Sequence, residues 1–343
     1  MIIQNIILKL LLFVTLLFGA TPTSYVLSIS TGYDNNVMRF SEKDYSEALV
    51  NPNILGNATT YDSYILKFSL RGKKTVYKNK NNEIIFKGNF SISDYRNNKN
   101  KKYWNGGGDI EYKWGSYKNL RYSIRHMNSY YLRHYINKDI GNSSYEPCLF
   151  TDRNQSFSIS QKFSKQTWSN VSLGYIQRYY DKPFTEFDLD IFYLRGKQNF
   201  RLKKFGIIAI QYESGRASSK SNESPLRPSS FDRSYNYSEL YIPMVKNKNL
   251  ILLDELGISY RLENRKYDAE DFNDPLHSGR SHQDSKYDAW MKKQIFEDMK
   301  VKLAFRMRDR STFSSYNWVS DLKSFNQLQT WISIEWKIDY DKY

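Results

Sequence analysis

The stretch Ile332-Ser333-Ile334-Glu335-Trp336-Lys337-Ile338-Asp339-Tyr340 decides the fold class. Apolar and polar residues alternate without a break, and successive side chains of a β-strand point to opposite faces. Ile332, Ile334, Trp336, Ile338 and Tyr340 make an apolar face; Ser333, Glu335, Lys337 and Asp339 belong in water. The pattern recurs upstream. Tyr64, Leu66, Phe68 and Leu70 oppose Lys67, Ser69 and Arg71. Ile110, Tyr112 and Trp114 oppose Asp109, Glu111 and Lys113. Leu256, Ile258, Tyr260 and Leu262 oppose Ser259, Arg261, Glu263 and Arg265. Phe187, Leu189, Ile191 and Tyr193 oppose Asp188 and Asp190. In all, about 14 segments read as strands. The least defined are 205–212, apolar on both faces, and 287–292.

The connections alternate as well. Short polar turns fall at 115–119, 164–166, 196–199, 246–249 and 297–298, with a longer link at 72–82. Long polar loops fall at 34–60, 96–106, 137–151, 216–232, 266–285 and 310–323, with a shorter one at 181–185. This rhythm predicts an all-β protein: a transmembrane antiparallel up-and-down β-barrel of about 14 strands, with short periplasmic turns and long extracellular loops. A soluble sandwich also alternates. However, about 14 strands in one run is large for a sandwich, and aromatics at the ends of the apolar faces suit a membrane girdle.

Composition agrees. The 343 residues include 29 Tyr, 20 Phe and 7 Trp, which favour strands and membrane–water interfaces. Mean hydropathy is −0.69. That excludes a helical membrane bundle but not a barrel, whose strands meet lipid only at alternate residues. Residues 1–20, MIIQNIILKLLLFVTLLFGA, read as a secretory signal peptide with Lys9 as its only charge. The expected division is a signal peptide over 1–23, cleaved near 20–23, and a single barrel domain over 24–343 in the bacterial outer membrane.

Gly32-Tyr33-Asp34-Asn35-Asn36-Val37 resembles the pattern that opens the barrel of several bacterial outer-membrane proteins, including the surface lipoprotein assembly modifier family. That family's helical repeat domain has no counterpart in this sequence. The C-terminal strand resembles the terminal strand that the insertion machinery reads in outer-membrane barrels, with Ile332, Ile334, Trp336, Ile338 and Tyr340 as the assembly signal. The resemblance implies outer-membrane lipid around the protein and the barrel-assembly machinery as a partner during insertion.

Chemistry concentrates on the polar faces. Lys and Arg number 51 against 36 Asp and Glu, for a net charge of +15. The register turns Lys67, Arg71, Arg121, Arg125, Arg178, Arg261, Arg265, Arg306, Arg308 and Glu335 toward the lumen as candidate pore-lining residues. Charges in a water-filled channel bias which ions pass, and the basic excess points to small anionic solutes. The same charges could instead fill the barrel as a salt-bridge network. Two functions follow: a porin-like channel for passive transport, or a non-conducting surface barrel whose loops bind a ligand or partner.

An enzyme is not expected. His277, Ser281, His282 and Asp284 could form a hydrolase, and the same stretch with Glu270 and Asp271 could bind a divalent cation through carboxylates, but these residues share one polar loop segment, and nearness along a loop seldom holds catalytic geometry. No catalytic residue, metal site or cofactor is assigned. Gly106-Gly107-Gly108 lacks the Lys-Ser/Thr of a phosphate loop and reads as a flexible lead into a strand. The leader argues against nucleic acid as a partner. The single Cys148 reads as an inert loop residue.

Overall fold

The structure is a computed structural model that describes residues 23–339 except 138–139, 141–143, 204, 224–230 and 248–251. The leader and Tyr340 lie outside the described residues. The strands are β1 (Thr23–Asp34), β2 (Ser63–Lys78), β3 (Glu83–Tyr95), β4 (Tyr103–Gly115), β5 (Lys118–Ile136), β6 (Tyr145–Lys162) and β7 (Thr167–Tyr180). They continue as β8 (Leu189–Leu202), β9 (Gly206–Ser219), β10 (Tyr235–Lys246), β11 (Glu255–Tyr267), β12 (Ser281–Phe296), β13 (Met299–Phe313) and β14 (Phe325–Asp339). Each pairs antiparallel with its sequence neighbours, and β1 pairs with β14, so the sheet closes on itself and has no edge.

The alternating segment Ile332–Asp339 lies on the closing seam. Ile334 stands opposite Ile29, which stands opposite Phe68. All three are exposed, as are their outward neighbours around the wall. Ile110, Tyr122, Phe157, Leu173 and Leu194 are successive cross-strand partners from β4 to β8. Each is 42–60 % exposed. A closed girdle of large apolar side chains facing outward is costly in water and favourable in lipid. The barrel is therefore a membrane-spanning one, crossing with strands. Among the described residues no helix is long and apolar enough to cross a membrane. The shortest strands have 12 residues, enough for a tilted crossing.

Strand ends differ from the sequence reading. β8 runs through the turn expected at 196–199 and ends at Leu202. Gly106–Gly108 lies inside β4, Cys148 is buried in β6, and β12 begins at Ser281, so His282 and Asp284 are wall residues. The facing of β8 is also reversed. Leu189, Ile191 and Tyr193 are buried inside, whereas Phe192 and Leu194 are exposed. The inner three sit at the end that bears the helix-carrying loops, where Leu189 and Ile191 pack on Ala217 and Tyr235 of neighbouring strands. Asp190 consequently lies on the outer face, where Tyr175 and Tyr179 donate to it at 2.9 and 3.2 Å.

At one end the linkers are mostly tight, such as 116–117 and 297–298. At the other end the first loop, 35–62, carries α1 (Glu42–Val50), and the last, 314–324, carries α2 (Asn317–Lys323). α1 starts in a capping box: Asp44 N donates to Ser41 Oγ at 3.1 Å, and Ser41 N to Asp44 Oδ2 at 2.9 Å. The first loop packs against the inner wall. Met38, Phe40 and Ile54 form a buried cluster with Tyr131 of β5. Arg133 of β5 holds the loop by donating to Asp44 at 2.9 Å and to the Arg39 carbonyl at 2.6 Å.

Candidate functional site: the basic lumen

Alternation puts the polar face of each strand inside, and closure turns those faces into a lining. Several candidate residues meet their partners along the wall. Arg121 and Lys87 both bond Glu111. Arg125 bonds Asp109 at 2.7 Å, Arg178 grips Asp152 with two bonds of 2.8 Å, Arg261 meets Glu239 at 3.3 Å and Arg265 meets Glu263 at 2.7 Å. The pairs of Arg121 and Arg125, arginines 36 % and 41 % exposed, contribute at most about 1 kcal/mol each. Their main effect is to hold long side chains against the wall. None of these five arginines lines the central cavity.

The other candidates do. A cavity of about 780 Å³ is lined by Lys67, Arg71, Arg306, Arg308 and Glu335, joined by Lys286, Lys302 and Asp288 from the wall and by Arg39 from the first loop. Asp288 is taken by Arg306 at 2.6 Å, and Glu335 by Arg71 at 3.3 Å and Lys292 at 3.8 Å. Lys67 has no ion-pair or hydrogen-bond partner among the described residues, and the charges acting on it are those of Arg306, Lys302 and Arg71. Lys302 stands 5.8 Å from the Trp290 ring and makes no ion pair or hydrogen bond among the described residues; Glu335 and Glu255 attract its charge at longer range, whereas Lys292 and Arg71 repel it. The cavity carboxylates are thus neutralised while lysine charge is left over.

β13 continues this charge toward the mouth. Lys302, Arg306, Arg308 and Arg310 share its inner face, and side chains two apart on a strand stand roughly 7 Å apart. Asp284 accepts from both Arg308, at 2.9 Å, and Arg310, at 2.8 Å. Arg310, with Phe40 and Phe325, also lines a second cavity of about 850 Å³ between the first and last loops. Arg39, Arg308 and Gln327 line the first. The two spaces thus adjoin across neighbouring residues of the same three elements.

Sequence reasoning missed Arg39, because nothing in a loop reveals which way it folds. It also missed Lys286, which falls between the loop read over 266–285 and the weak segment 287–292, and Arg310, read as loop. Around the mouth, burial beside Arg133 and Arg280 pushes the Lys323 ammonium down to about 7. Burial likewise lowers Lys101, whose Nζ donates to the Tyr131 carbonyl at 2.6 Å. The histidines do not converge: His277 bonds Asp274 at 2.8 Å, and His282 bonds Thr312 at 2.8 Å.

No family model matches the sequence, and a search of curated proteins finds no match. Solved structures are similar in shape. Acinetobacter baumannii OccAB4 aligns over 92% of this chain and 98% of that one, at 8% identity and a TM-score of 0.46. The loop L8 deletion mutant of OmpT, an outer membrane protein of Vibrio cholerae, aligns over 93% and 100% at 8% identity and 0.45. An anion-selective porin from Comamonas acidovorans aligns over 93% and 99% at 6% identity and 0.42. The similarity is one of barrel shape, not of sequence.

Proposed function

We propose that the protein is a channel of the bacterial outer membrane that passes small anionic solutes. The observation that carries this reading is the uncompensated positive charge of the central cavity. Lys67 is surrounded by cations and Lys302 makes no ion pair among the described residues, while Asp288 and Glu335 are already paired. Such charge concentrates anions in a water-filled space and repels cations. The inner face of β13, from Arg310 to Lys302, supplies a run of positive sites between the rim cavity and the lumen. A solute handed from one to the next keeps a counter-charge throughout. Liposome swelling with purified protein tests the proposal: an anionic solute should enter faster than a cation of equal size. The double substitution Lys67→Gln and Lys302→Gln should reduce that difference. Equal entry rates in the wild type would refute anion passage. No swelling with any solute would replace the channel with a plugged barrel.

A further inference from the structure

The arc of cavity wall beside the lysines is built from hydroxyl side chains. Cross-strand partners share a face, so the register gives the rows directly. One row runs Lys302, Ser333, Ser30, Lys67, Ser93 from β13 to β3. The next runs Glu335, Ser28, Ser69, Ser91, Asn105 from β14 to β4. All the residues of both rows line the same cavity. Ser28 and Ser30 are each only 8 % exposed, yet their hydroxyls have no hydrogen-bond partner among the described residues. Ser69 and Ser333 are likewise unpartnered. These hydroxyls border the cavity, where a ligand can supply their hydrogen bonds.

We infer that this arc is a binding site for small polyhydroxylated anions, of the sugar-acid class, with the anionic group at Lys67 and Lys302 and the solute hydroxyls on Ser28, Ser30 and Ser69. The inference deepens the channel reading by naming a solute class. A bare inorganic anion would use the lysines and leave the serines unmet. A neutral polyol would use the serines and leave the lysines unmet. Only a solute with both features satisfies the two rows together.

Isothermal titration of the detergent-solubilised, folded barrel tests this without requiring conduction. The probes are gluconate, hexanoate and sorbitol, which share a six-carbon chain. Gluconate should bind at least about tenfold more tightly than hexanoate or sorbitol, the ratio that one or two net hydrogen bonds supply. The triple substitution Ser28→Ala, Ser30→Ala and Ser69→Ala should bring gluconate to the affinity of hexanoate. Lys67→Gln should bring it toward sorbitol. Equal binding of gluconate and hexanoate to the wild type, or no binding of any probe, overturns the site. So does a triple variant that keeps the preference. Binding of gluconate by a barrel that does not conduct would refute the channel and leave the site standing.

Discussion

Single residues divide the wall into lipid and water sides. Ile334 and Trp336 are 45 % and 47 % exposed on the outside, whereas Ser333 between them lines the cavity. A charge facing lipid costs up to about 2–4 kcal/mol near the midplane for Arg or Lys and less for Asp. Ile334→Asp or Trp336→Asp should therefore cut surface-exposed, heat-modifiable barrel severalfold, with Ser333→Asp near wild type. Equal assembly of all three would contradict the register. Lys323 makes a second residue-scale case. Its folded value near 7 lies below the usual lysine value. Below pH 7 it is charged whether the loop is packed or open, and the burial penalty is paid in full. The penalty is relieved as pH rises above 7. Arg133, Arg280 and Arg310 repel that charge, and Asp44 attracts it. Intrinsic-rate-corrected hydrogen exchange of 317–323 should accordingly be faster at pH 6 than at pH 9. Lys323→Met should remove the difference; its persistence would assign the pH effect elsewhere.

Elements were legible where one face meets lipid and the other water. Each of the 14 strands overlaps a segment read as a strand, and where alternation is clear it fixes the position, because a one-residue slip would turn every apolar side chain inward. β8 shows why facing was harder. Its apolar Leu189 and Ile191 serve an internal cluster at the mouth, and an internal apolar row reads the same as a lipid-facing one. Loop folding was illegible for a different reason. The first loop is fixed by partners distant in sequence: Asn36 Nδ2 donates to the Asn326 carbonyl at 2.8 Å, and Arg133 bonds Asp44. The Gly32–Val37 stretch gains a local role here, since Gln327 and Gln329 donate to the buried Asp34 at 2.8 and 2.7 Å. Asp44→Ala would strip the buried Arg133 of its counter-charge and the helix of its cap. Breaking a buried pair costs about 3–5 kcal/mol, so exchange across 42–50 should rise by orders of magnitude. The barrel's own melting should hardly move. Unchanged exchange would show that the first loop is held by its apolar cluster alone.

The whole molecule is a closed wall with lipid outside, a basic cavity inside and a folded loop across part of its mouth. The sequence puts arginines on the polar faces of the strands, but it does not say which basic groups border the cavity or which are left without a carboxylate. That division depends on which carboxylate stands opposite on the next strand. It decides the electrostatics, since Arg121 and Arg125 are tied to Glu111 and Asp109 whereas Lys67 is left among cations. The most direct test of the central claim is the reversal potential of single purified barrels in a planar bilayer under a potassium chloride gradient. Discrete conductance steps and an anion-selective reversal potential are expected. That potential should fall toward zero at high salt, where the screening length shrinks to roughly 3 Å at 1 M. Conductance steps with a cation-selective reversal potential would contradict it.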